Sequence, residues 1–179
     1  MVLSSSLDKN TPSALKLSLP GVDGKHHSLS SLAESSATVV VFIGNGCPTV
    51  RAYEERLIKI QDTWHSHGVQ LIAINANNSF LSPPDTFAEM VKRAADRKFN
   101  FPYLKDENRA VAKSFGAICT PHSFVLDPSL RVVYSGRIDD SRVGDKITSR
   151  DLENALADVV EGRPVTVNRT DPFGCSIVW

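Results

Sequence analysis

Val39-Val40-Val41-Phe42-Ile43-Gly44-Asn45-Gly46-Cys47-Pro48-Thr49-Val50 is an apolar run that stops at a turn between two glycines and restarts at Cys47-Pro48. Five consecutive apolar residues, four of them β-branched, read as a strand buried on both faces, the usual state of a strand covered by helices on each side. Pro48 has no N–H to donate and suits the first turn of a helix, so Cys47 is expected at or just before that turn. Its sulfur then faces unpaired backbone N–H groups, and the helix dipole favours the thiolate over a free thiol of pKa about 8.5. The dipole contributes roughly 0.3–1 kcal/mol, up to about 2, against about 1.4 kcal/mol for each pKa unit. A thiolate dominant at neutral pH therefore needs a second donor or a cation.

Downstream, Val50, Tyr53, Leu57, Ile60 and Trp64 recur at three- and four-residue intervals, the apolar face of a helix that Gly68 ends. Val69 to Ile74 is the next buried strand, parallel to the first through a right-handed crossover. Ser82-Pro83-Pro84-Asp85 marks a stop and a helix start, with Phe87, Met90, Val91 and Ala94 facing the core as far as Arg97. Phe101 to Leu104 reads as a short extended segment. Asp106 caps a helix carrying Val111 and Phe115 and ended by Gly116. Phe124 to Leu126 and Val132 to Ile138 form a hairpin, and Thr148 with Asp151 reads as a capping box for a last helix that stops at Gly162. Upstream, Leu15 to Leu19 is a short alternating strand. With His26 to Leu32, in a segment ending near Glu34, it makes a hairpin laid on the sheet edge. This order gives a mixed three-layer α/β sheet.

A chain of 179 residues, 41% hydrophobic, suits one domain with a full core. Twenty basic and twenty acidic residues cancel, so neither nucleic acid nor a membrane surface is an expected partner. The polar, serine-rich stretch from Met1 to Thr11 lacks the apolar core of a secretory signal, which points to the cytoplasm. Cys47, Cys119 and Cys175 are too few and too far apart for a disulfide framework. No histidine pairs with a cysteine at short ligand spacing, so neither a metal nor a cofactor is expected.

The strand ending at a helix-start cysteine, the later Thr120-Pro121 and the closing hairpin and helix resemble the thioredoxin superfamily. The chain is more specifically similar to redoxin, or peroxiredoxin-like thioredoxin, proteins that carry Phe-x-Cys-Asn-His-Cys-Pro-Tyr-Val-x-x-Tyr-Glu-x-Arg-Leu. Here that stretch runs from Phe42 to Leu57. Further matches fall at Phe101-Pro102-Tyr103-Leu104, Cys119-Thr120-Pro121, Gly136 to Ser141 and the terminal Gly174 to Trp179. The first cysteine of the Cys-x-x-Cys pair is replaced by Gly44 and the intervening histidine by Gly46. The resemblance implies a thioredoxin-like three-layer α/β fold with an N-terminal hairpin extension and a peroxiredoxin-type insertion before Thr120. It divides the chain into an arm over 1–14, a domain over 15–164 and a packed tail over 165–179.

The same resemblance implies a thiol oxidoreductase that uses Cys47 to reduce a peroxide or a disulfide, with Thr120 and a cis Pro121 against the active cysteine. Cys175 is the candidate resolving thiol, an external thiol the alternative reductant, and Arg137 a candidate cation beside the thiolate. An ion pair from Arg137 to Asp139 or Asp140 is the competing role, and Cys119 is expected to be a packed thiol turned away from Cys47. The protein would act as a monomer or homodimer on a small oxidant or on a protein or small-molecule disulfide. Two other readings stay open, a redox-inactive binding module and a fold recruited to a non-redox reaction. Restoring the lost residue with Gly44→Cys would recreate the dithiol turn, and the tail, anchored by Ile177, Val178 and Trp179, is expected to dock marginally and release easily.

Overall fold

The computed structural model describes residues 12–32 and 35–179. Met1 to Thr11, read for a targeting signal, and Glu34, the expected end of the hairpin segment, lie outside the described residues. The central sheet is built from β3 (Ala37–Phe42), β4 (Val69–Asn75), β5 (Tyr103–Lys105), β7 (His122–Leu126) and β8 (Val132–Gly136), in the order β5-β4-β3-β7-β8. β3, β4 and β5 are parallel, and β7 and β8 return antiparallel. The architecture is the mixed thioredoxin-like sheet that the apolar runs and the resemblance indicate.

β3 shows why the run is apolar without alternation. Val39 and Val41 join one core with Val50, Tyr53 and Leu57 of α1 (Pro48–His65), Met90 of α2 (Phe87–Arg97), and Leu152 and Leu156 of α4 (Asp151–Val160). Val40 and Phe42 point the opposite way, into a second core with Val111 and Phe115 of α3 (Ala110–Phe115). There Phe42, Phe115 and Phe124 meet edge to face, with centroids 5.2–5.8 Å apart.

Several local readings need correction. Ser13–Lys16 forms a 3₁₀ turn, and only Ser18–Pro20 (β1) pairs with His26–Ser28 (β2). The hairpin leans on β5, where the Val22 N–H donates to the Tyr103 carbonyl at 3.0 Å. Ala14 and Leu15 are both buried, so the core does not respect a boundary at residue 14. α2 is capped by Thr86, whose Oγ1 accepts from the Glu89 N–H, and it buries only Met90; Phe87 and Val91 are each 39% exposed. Thr148 caps nothing, because its hydroxyl donates to the Asp140 carboxylate, and α4 starts without a side-chain cap.

The tail is held at many points. Residues 168–170 run along β8, with the Ser135 N–H on the Asn168 carbonyl at 3.0 Å and the Thr170 N–H on the Ser135 carbonyl at 3.1 Å. Phe173 packs on Tyr53 with centroids 6.3 Å apart. β9 (Cys175–Ser176) then pairs antiparallel with β6 (Cys119–Thr120). Ile177 is 3% exposed and belongs to the second core. Val178 is bonded through both its N–H and its carbonyl, while Trp179 stays half exposed with the Lys113 ammonium 5.9 Å from its ring centroid. These contacts exceed the three terminal apolar residues on which the expectation of easy release rested.

Candidate active site

Cys47 is itself the N-cap of α1. Its backbone is extended (φ −82°, ψ 115°), Pro48 follows in the first turn, and its Sγ accepts from the Val50 N–H at 3.5 Å. The chain reaches this cap through the Gly44 turn, closed by a bond from the Cys47 N–H to the Gly44 carbonyl at 3.3 Å. The Thr120–Pro121 peptide opposite is cis, and the Thr120 carbonyl lies 3.1 Å from Cys47 Sγ, within reach of the thiol proton. Cys47 is 3% exposed.

What covers it is the tail. Pairing of β9 with β6 sets Cys175 opposite Thr120, and Cys175 Sγ stands 2.6 Å from Cys47 Sγ, with both residues free cysteines. A disulfide needs about 2.05 Å between sulfurs, so joining them requires little movement. Burial opposes ionisation of Cys47, but hydrogen bonds from the Cys175 thiol, the Val50 N–H and Thr120 outweigh it and hold the Cys47 pKa below its ordinary value. Burial and the adjacent Cys47 sulfur push Cys175 the other way. When the pair loses a proton, Cys47 is therefore the thiol favoured to give it up. Thr120 Oγ1 is buried and has no nitrogen or oxygen partner, so the Cys47 sulfur is the one group toward which its hydroxyl is drawn.

Behind the Gly44 turn lies a buried polar network centred on Asp85, which is fully inaccessible. Asp85 Oδ1 accepts from the Asn45 N–H at 2.6 Å and from Asn75 Nδ2 at 2.8 Å. Its Oδ2 accepts from Asn77 Nδ2 at 3.0 Å and Ser82 Oγ at 2.5 Å. The Tyr103 hydroxyl donates to Asn45 Oδ1 at 3.0 Å. The buried Lys105 ammonium, its pKa lowered chiefly by burial, donates to the Asn77 carbonyl at 2.6 Å. Sequence reasoning missed this network, reading Asp85 only as a helix start. The available signal was the polar Asn75 and Asn77, two apart where an apolar strand ends, beside the turn that carries the cysteine.

The sequence profile of the AhpC/TSA family matches residues 12–135, more than half of the chain and a span that includes Cys47, Thr120 and Pro121. The chain belongs to the AhpC/TSA family. Two solved structures resemble it along nearly their whole length. An uncharacterized conserved protein from Geobacillus kaustophilus is 37% identical, with 94% of this chain and 91% of that one covered and a TM-score of 0.88. A hypothetical protein from Sinorhizobium meliloti is 34% identical, with 94% and 93% covered and a TM-score of 0.87. Peroxiredoxin Q from Xanthomonas campestris shares the fold at 17% identity, with 85% and 94% covered and a TM-score of 0.63. No curated protein sequence matches. Family and fold together support a thiol oxidoreductase in general terms. Among the described residues no helix is long and apolar enough to cross a membrane.

Within this AhpC/TSA protein the other candidate residues separate. Arg137 is engaged elsewhere, with its Nε 2.8 Å from Asp151 Oδ2, so it braces the β8 to α4 junction and makes no hydrogen bond to Cys47. It pairs with neither Asp139 nor Asp140; Asp139 is taken by Arg56 at 2.6 Å and by the Tyr53 hydroxyl at 2.7 Å. Cys119 is buried, its thiol donating to the Pro121 carbonyl at 3.7 Å, and burial pushes its pKa up to about 11. Burial pulls the pKa of His122 down to about 4, so beside Pro121 it stands neutral, against Ser135 Oγ at 3.1 Å. Gly44 is fixed by its neighbours: a Cβ there would overlap Asn77 Nδ2 and stand 3.4 Å from Asp85 Oδ1. The substitution Gly44→Cys is therefore not accommodated unless Asn77 moves, and the sulfur of Cys47 already has a partner in Cys175.

Proposed function

We propose that this AhpC/TSA protein reduces a small peroxide through Cys47 and resolves the product with Cys175. The observation that carries the reading is the 2.6 Å separation of the two sulfurs, with Cys47 the more acidic of the pair. A thiolate that is almost wholly buried favours an oxidant the size of hydrogen peroxide over a protein disulfide. The Cys47 thiolate attacks one peroxide oxygen, the O–O bond breaks, and the other oxygen takes up a proton and leaves as water, giving a sulfenic acid. The Cys175 thiol then attacks that sulfur, a second water leaves, and the Cys47–Cys175 disulfide forms.

Two electrons from an external dithiol, or from two thiols, complete the cycle. Cys175 is the more exposed sulfur, so the incoming thiolate attacks there and expels Cys47, the better leaving group because its pKa is lower. The second reductant thiol releases Cys175, and the balance is one peroxide and two thiols to two waters and one disulfide.

Peroxide treatment followed by mass spectrometry tests this reading. The wild type should yield a Cys47–Cys175 disulfide, Cys175→Ser a sulfenic acid on Cys47 that a carbon nucleophile traps, and Cys47→Ser no reaction. Oxidation that begins on Cys119, or an inert wild type, would return the protein to the binding-module reading. The alkylation rate of Cys47 against pH supplies a second check. Its midpoint should lie below the ordinary thiol value of about 8.5 and should rise in Cys175→Ala, which removes the donor that favours the thiolate. A midpoint unchanged by that substitution would mean that the two thiols do not share a proton.

A further inference from the structure

Asn77 bonds both to the network behind the Cys47 turn and to the tail that carries Cys175. On one side its Nδ2 donates to Asp85 Oδ2 at 3.0 Å, and Asp85 holds the Asn45 N–H of the turn that leads to Cys47. On the other side its Oδ1 accepts from the Val178 N–H at 2.9 Å, three residues beyond Cys175. Asn78 adds a second bond to the same residue, from its N–H to the Val178 carbonyl at 2.8 Å. The backbone of Asn77 is fixed as well, its N–H on Asn75 Oδ1 at 3.0 Å and its carbonyl under Lys105 Nζ.

The orientation of this amide is dictated. The Val178 N–H can only donate, so the amide oxygen must face the tail and the NH₂ must face Asp85. The same NH₂ fills the space that the missing side chain at Gly44 leaves. A residue that merely packed the loop would need no acceptor aimed at a backbone N–H 101 residues away.

We propose that Asn77 is a positioning residue that holds the tail against the Cys47 turn and so sets the effective concentration of the Cys175 thiol at Cys47. The inference rests on reading Cys47 and Cys175 as a redox couple. The stability of an internal disulfide follows how often its two thiols meet in bonding geometry. Without the Asn77 bond the tail keeps its β9 pairing and loses an anchor on the C-terminal side of Cys175, and that thiol spends less time in place.

The test is the equilibrium of the purified full-length protein with glutathione. In it the two thiols pass two electrons and two protons to oxidised glutathione, which leaves as two reduced molecules. Asn77→Ala should lower the equilibrium constant for the Cys47–Cys175 disulfide about tenfold, equivalent to about 30 mV for a two-electron couple. Val178→Pro, which removes the same bond from the tail side, should do likewise, and the double variant should shift little further. An unchanged constant in Asn77→Ala, or full additivity, overturns the inference. If Asn77→Ala does not fold, Val178→Pro decides alone, and an unchanged constant there overturns it. A wild type that forms no Cys47–Cys175 disulfide against glutathione instead overturns the redox-couple reading, so the two failures are distinct.

Discussion

Gly174→Ala should slow closure of the Cys47–Cys175 disulfide by on the order of a hundredfold, the cost of misplacing one reacting group by about an ångström, although it alters neither thiol. A Cβ at this position would overlap the Thr120 carbonyl oxygen and stand 2.8 Å from the Thr120 carbonyl carbon and 3.1 Å from Pro121 Cδ. Two of those three neighbours are backbone atoms of the segment that also lies against Cys47, so they cannot yield as a flexible side chain would. Residue 174 must therefore back away, carrying Cys175 with it and disturbing the pairing of Thr120 with Cys175. Quenching with an alkylating agent at intervals after peroxide, and counting modified cysteines by mass spectrometry, gives the closure rate. A rate equal to that of the wild type would show that Cys175 reaches Cys47 without the β6 to β9 pairing.

Asp85→Ala should cost about 3–5 kcal/mol of stability, because it strands several buried hydrogen-bond donors at about 1–3 kcal/mol each. Four donors converge on this carboxylate, from Asn45, Asn75, Asn77 and Ser82, and none is replaced by a methyl group. For a chain of this size each kcal/mol is worth about 2–4 °C, so the melting temperature should fall by roughly 10 °C. Guanidinium unfolding of the reduced protein measures the loss directly, and a difference below about 1 kcal/mol would mean that water takes over the carboxylate's role. The thiol pair should suffer too, because the Asn45 N–H that Asp85 holds is two residues from Cys47.

The parts of the fold written in side-chain type were legible from the sequence. An unbroken β-branched run can be satisfied only between two cores, and Cys47-Pro48 after a glycine turn can start only one kind of element. β3 and the α1 cap stand where those residues put them. The parts written in partnership were not legible. Arg137 has Asp139 and Asp140 two and three residues away, yet it bonds Asp151 across the β8 to α4 junction. Thr148 precedes Asp151 by the three residues of a capping box, yet its hydroxyl goes back to Asp140. Glu54 lies on the buried side of α1 without breaking the apolar spacing, because Arg93 of α2 reaches it with two bonds of 2.8 and 2.7 Å. Asp85 and Asn77 are the extreme case. Their partners range from Asn75 and Ser82 close by in the chain to Asn45 and Val178 far from it, and no periodicity records them.

The placement of the second sulfur also changes what oxidation does to the molecule as a polymer. A Cys-x-x-Cys bond ties a ring of four residues and leaves the rest of the chain as free to unravel as before. A bond from Cys47 to Cys175 spans 128 positions and would encircle four of the five central-sheet strands wholly, with all four α-helices of the described residues. In the chain-entropy picture a ring of that size removes about 5 kcal/mol of disorder from the denatured chain, close to the largest contribution one crosslink can make. Each turnover would therefore alternate the protein between an open thread and a closed hoop, with its resistance to unfolding rising and falling in step with its electrons.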